Sequence, residues 1–127
     1  MTRVVARLIR WWRQAEIQQK LNLSKSQVER LDTVFERDRS ERVALRRKIA
    51  EMDRLLRRVL ERGNAEDVTV KRLSEQVEAL RAQHNVRRTL MMFAMYRRLT
   101  PQQRTALTEL RRTDADIRSG PDGASDR

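Results

Sequence analysis

Apolar positions along the chain recur at helical rather than strand intervals. From Ser24 they run Val28, Leu31, Val34/Phe35, Leu45, Ile49, Met52, Leu56 and Val59/Leu60, in steps of three and four, with the polar Asp38 and Arg42 falling in register between them. That spacing predicts an amphipathic helix over 24–62, stopped by Gly63-Asn64. A second series, Val70, Leu73, Val77, Leu80, His84, Arg87, Met91 and Ala94, alternates three and four and predicts a helix over 67–98. Shorter patterns predict flanking helices over 4–21 and 101–112, the latter opening at Pro101. The short link between the two long helices implies an antiparallel hairpin. Pairing outward from that link sets His84 opposite Leu45 and Arg87 opposite Arg42, with Asp38 a turn further on, so a polar layer is expected in the seam. Residues 113–127 are polar and rich in Gly, Ser and Asp, and are expected to be a disordered tail after a single domain over 1–112. The predicted fold class is all-α: a long hairpin with two shorter flanking helices.

Residues 90–96, LMMFAMY, are apolar around the whole helix and must be covered on every side or present a sticky surface. Met91, Phe93 and Met95 are therefore expected to form core or dimer contacts, and the chain to be a homodimer. An extended hairpin whose aromatic residues make up only 4 % of 127 gives little material for a large core of its own.

Composition removes several classes. There is no cysteine, so no thiolate metal site or thiol nucleophile, and the single histidine excludes a multi-histidine centre within one chain. No apolar run reaches the roughly 18 residues of a membrane-spanning helix. Glycine-rich elbows and phosphate loops are missing, and the acids sit at salt-bridge spacings such as Glu36–Arg39 and Asp53–Arg57, so no enzyme and no cofactor are expected. The one candidate ligand for a divalent metal is His84, which Glu41 or Asp38 would have to join. Arg81, Arg87 and Arg88 beside it disfavour a cation, and a packed seam histidine is the ordinary alternative.

Charge narrows the partners. The chain carries 29 Lys+Arg, of which 25 are Arg, against 18 Asp+Glu, for a net charge of +11. Between Glu78 and Glu109 there is no acid, while Arg81, Arg87, Arg88, Arg97, Arg98 and Arg104 alternate with Leu90, Met91, Met92, Phe93, Met95 and Tyr96. Arginine steers and pairs with carboxylates, and methionine adapts to varied surfaces. Arg81, Arg87, Arg88, Met92, Arg97 and Arg98 are thus candidates for binding unfolded or regulatory proteins, against the plainer reading of a buried methionine cluster among solvated arginines. Nucleic acid is not expected, because residues 24–62 mix 12 basic with 8 acidic side chains rather than forming a one-signed face. Residues 3–13, with Arg3, Arg7, Arg10 and Arg13 beside Trp11 and Trp12, suit proximity to a membrane surface but are short for an anchor.

Two segments repeat: Leu23-Ser24-Lys25-Ser26-Gln27 and Leu99-Thr100-Pro101-Gln102-Gln103. In each, a hydroxyl residue at N-cap and a glutamine at N3 compose a capping box, which starts a helix by satisfying two backbone donors reciprocally. The pair of boxes around a long hairpin resembles the Spy/CpxP family, defined by two LTxxQ motifs, with Ser24 in place of Thr in the first. Trp11-Trp12 followed by Leu21-Asn22-Leu23-Ser24 is similar to the start of that family's CnrX- and ZraP-like heavy-metal branch. The resemblance covers about residues 8–112 and rests on Leu23, Ser24, Gln27, Leu99, Thr100 and Gln103. It implies a four-helix hooked hairpin, an antiparallel cradle-shaped dimer, a periplasmic location, and ATP-independent binding of unfolded clients or of an envelope stress sensor. The alternative it implies is a zinc, nickel or cobalt sensor or resistance protein; a basic nucleic-acid-binding helical protein is the third reading. Arg7 and Arg10 interrupt any apolar stretch in MTRVVARLIRWW, so that segment does not read as a secretory signal, and the periplasm follows from the resemblance alone.

Overall fold

A computed structural model describes residues 10–118, with side chains to Thr113. Among the described residues there are five α-helices and no strands: α1 (Ala15–Leu21), α2 (Lys25–Arg37), α3 (Arg39–Arg62), α4 (Asp67–Tyr96) and α5 (Pro101–Arg118), after a 3₁₀ turn at Trp11–Arg13. The helix expected over 4–21 falls partly outside these residues; within them, Gln14 is extended and divides the 3₁₀ turn from α1. The helix read as continuous over 24–62 is two. Its interruption is at Asp38, with φ −113° and ψ 11°, and the ladder resumes where the Arg42 N–H donates to the Asp38 carbonyl at 3.0 Å. Residues 113–118, expected to begin the tail, continue α5, while 119–127 lie outside the described residues.

The chain forms two compact units, one from Met1–Thr33 with Met95–Arg127 and one from Val34–Ala94. The first holds most of the fully buried apolar side chains: Trp11, Trp12, Ile17, Leu21, Leu31, Met95, Leu99 and Leu107. The two indoles meet edge to face, 5.6 Å between centroids. α1 packs on the 3₁₀ turn and on α5. It ends because Asn22 takes a left-handed conformation (φ 53°), with the Asn22 N–H on the Gln19 carbonyl at 3.2 Å and the Leu23 N–H on the Gln18 carbonyl at 2.9 Å. This is the paired closure that asparagine tolerates better than most residues with a Cβ.

In the second unit the core is thinner: Val34 and Val77 are buried together with the charged Arg42. Gly63, at φ 67°, closes α3 by donating to the Val59 carbonyl at 3.3 Å. Ion pairs join α4 to the preceding segments, Arg81 to Asp53 at 3.4 Å and Arg87 to Asp38 at 2.7 Å and Glu41 at 2.5 Å. Partner numbers thus fall along α3 and its N-terminal junction as they rise along α4. The apolar belt is less covered than its composition requires. Met95 is buried, Met91, Met92, Ala94 and Tyr96 are half-buried, and Leu90 and Phe93 are 62 % and 59 % exposed.

Candidate functional site

Each capping box closes in both directions. The Gln27 N–H donates to Ser24 Oγ at 3.0 Å and the Ser24 N–H to Gln27 Oε1 at 3.0 Å. The Gln103 N–H donates to Thr100 Oγ1 at 3.1 Å and the Thr100 N–H to Gln103 Oε1 at 2.9 Å. These bonds use the oxygen of each glutamine and leave its NH₂ group for other acceptors. Gln27 Nε2 donates to Gln103 Oε1 at 2.8 Å and to the Arg98 carbonyl at 3.1 Å. Gln103 Nε2 donates to Gln27 Oε1 at 3.1 Å and to the Leu21 and Asn22 carbonyls at 3.1 and 3.3 Å. Each glutamine therefore starts one helix while satisfying carbonyls at or just beyond the end of another, and the two amides bind each other. Arg104 joins them at the end of α4, donating to the Leu99 and Tyr96 carbonyls at 2.8 and 3.3 Å. Glutamate at N3 would close a capping box equally well. Glutamine at both positions was the available sign that the spare nitrogens have work to do.

A second contact of this unit carries no local sequence sign. Asp32, on α2, accepts the buried Trp12 indole N–H at 2.7 Å and the Arg13 Nε–H at 3.0 Å, and forms an ion pair with the Arg13 guanidinium. Gln18 fastens the same turn by donating to the Trp12 carbonyl at 2.8 Å. The tryptophan pair is thus fixed by a charge-assisted hydrogen bond as well as by packing.

The unit of residues 34–94 carries an open groove of about 810 Å³. Val34, Val86, Leu90 and Met91 give it apolar walls, and Arg37 and Arg87 are its cations. Val86 and Leu90 are 59 % and 62 % exposed, an apolar surface presented to solvent rather than a packed seam. Arg87, a candidate for partner binding, is committed elsewhere: its hydrogen bond to Asp38 raises the guanidinium above its ordinary pKa against the opposing effect of burial. Arg81 is likewise engaged, with Asp53 and with Glu78 at 3.6 Å. Of the other candidates for partner binding, Arg88 and Arg97 are exposed and Arg98 and Met92 half-buried.

The polar layer is built differently from the expected His84–Leu45 and Arg87–Arg42 pairing. Arg42 turns back along its own chain, donating to the Phe35 carbonyl at 2.9 Å with its guanidinium 4.8 Å from the centre of the Phe35 ring. It thereby satisfies an end carbonyl of α2 and stacks on an aromatic face. Burial lowers the Arg42 pKa and Asp38 partly restores it. His84 shares a small groove with Arg46, Ile49 and Asp53. Partial burial, then Arg46, Arg88 and Arg42, hold its imidazole below the usual histidine range. Among the described residues no three His, Cys, Asp or Glu side chains come together as a metal site would need.

An all-helical chain in which two helix-starting boxes are joined through their glutamines is the class these contacts define. Residues 10–111 match the sequence profile described as LTXXQ motif family protein, and the chain belongs to that family. No curated protein and no solved structure matches it.

Proposed function

We propose that this protein is an ATP-independent periplasmic chaperone or envelope-stress protein of the Spy/CpxP type. It binds non-native or regulatory protein segments without catalysis or a cofactor. In this reading α3 and α4 form an antiparallel hairpin that pairs with a second copy into a cradle. The observation that carries the reading is the groove between residues 34 and 94, where Val86 and Leu90 stand exposed beside Met91 with Arg37 at its rim. An adaptable apolar surface with basic groups fits extended chains of mixed composition. Membership of the LTXXQ motif family supports the periplasm and this class of partner. A metal-sensing role gains no comparable support, because the charges acting on His84 are those of Arg46, Arg88 and Arg42, and the one carboxylate in its groove, Asp53, is paired with arginines. The test is suppression of aggregation of a chemically denatured acidic protein without nucleotide. Val86→Glu with Leu90→Glu should reduce protection severalfold while circular dichroism stays helical. Undiminished protection by that folded variant refutes the groove as the binding surface.

A further inference from the structure

The small groove beside His84, about 400 Å³, is lined by Ile49 together with Arg46, Asp53, Arg81, His84 and Asn85. Its only acid is already taken, since Asp53 Oδ2 lies 3.5 Å from Arg57 Nη2 and 3.4 Å from Arg81 Nη2. Arg46 and Arg88 have no carboxylate partner among the described residues. Arg42, which also acts electrostatically on His84, is 93 % buried and leaves its Nη1 without a hydrogen-bond partner among the described residues. His84 is thus flanked on α4 by Arg81 and Arg88 and faced from α3 by Arg42, Arg46 and the occupied Asp53. Asp53 is shared between Arg57 and Arg81, so among the described residues the positive charge of Arg46 and Arg88 beside the imidazole is left unpaired, and an anion would relieve the repulsion.

We propose that this groove binds a phosphoryl oxyanion, held by the Arg46 guanidinium from α3 and by the His84 imidazole and Asn85 amide from α4. A tetrahedral group can take the arginine fork on one side and two further donors on the other, whereas the two oxygens of a carboxylate are matched by a single fork. A divalent cation is disfavoured by the same charges. The site stands apart from the chaperone reading and from the groove that carries it.

Because His84 is the only histidine of the chain, its ring protons report the site without ambiguity. The full chain is titrated by NMR in inorganic phosphate and in chloride at equal ionic strength. Phosphate should raise the proton affinity of His84 at least about threefold, half a pKa unit, and Arg46→Gln should remove the rise. Asn85→Leu gives the same test should Arg46→Gln lose helicity. Co-sedimentation with phosphatidylglycerol vesicles that depends on Arg46 assigns the phosphoryl group to a lipid; a positive phosphate titration without it assigns a free phosphate. Equal His84 titration in phosphate and chloride together with Arg46-independent vesicle binding overturns the proposal, as does a phosphate effect that persists in folded Arg46→Gln and Asn85→Leu proteins.

Discussion

Gln27 and Gln103 hold one another by both ends of their amides although 76 positions separate them. Removing Gln27 takes a partner from the exposed Ser24 N–H and the part-buried Arg98 carbonyl, and removing Gln103 takes one from the part-buried Thr100 N–H and the Leu21 and Asn22 carbonyls. Gln27→Ala and Gln103→Ala should each cost about 1–3 kcal/mol in urea unfolding. The double variant should lose clearly less than the sum, because the shared pair is counted twice. Strict additivity would show that the two boxes act separately.

Asp32 distinguishes the hydrogen bond to Trp12 from the ion pair with Arg13. Asp32→Asn keeps an acceptor for the indole and should cost little, since Arg13 is largely exposed. Asp32→Leu removes the acceptor of the buried Trp12 N–H and should cost about 1–3 kcal/mol. Thermal unfolding of the two variants side by side measures the difference.

Arg42 acts through both its stem and its head. Arg42→Ala empties a buried position and should cost about 2–3 kcal/mol. Arg42→Met keeps the stem and removes a buried charge, so its cost should be well under half of that. In the Met variant, faster amide exchange around residues 38–42 should expose the loss of the bond to the Phe35 carbonyl.

His84 sets a sign for acid sensitivity. Its folded pKa lies below the unfolded value, so the unfolded chain binds the proton first as pH falls. Between the unfolded value near 6.5 and the lower folded one, stability should therefore drop on acidification. His84→Gln should flatten that segment of the stability–pH curve. A wild-type curve that rises on acidification through the same range contradicts the assignment.

The helix starts were legible because a capping box is local, a matter of positions three apart. Three other features were not. The apolar period runs through Asp38 without a phase change, and the break there is spanned by Arg42 reaching a carbonyl seven residues back. The early 3₁₀ turn depends on Asp32, twenty residues beyond Trp12. The composition of residues 113–118 reads as tail, yet α5 extends through them, with the Thr113 hydroxyl donating to the Glu109 carbonyl at 3.0 Å. For the candidate groove, the sequence indicated basic residues among methionines. It did not indicate that Arg81 and Arg87 are spent on Asp53, Asp38 and Glu41, because those pairings cross between helices.

The discontinuous make-up of one unit has a consequence for how the chain comes into being. Residues 34–94 form a contiguous unit and have their contacts as soon as α4 is made, whereas Trp12, Leu21 and Gln27 belong with Met95, Gln103 and Leu107. A ribosome adding about 5–20 residues per second needs about 4–15 s to travel from Gln27 to Gln103. Over that interval Trp12 already has Asp32 within reach, but Gln27 and the Leu21 and Asn22 carbonyls lack the partner that Gln103 supplies, so the two parts of this unit close on each other only late in synthesis. Until Leu107 emerges, the nascent protein itself displays the kind of apolar, unfinished stretch that chaperones hold.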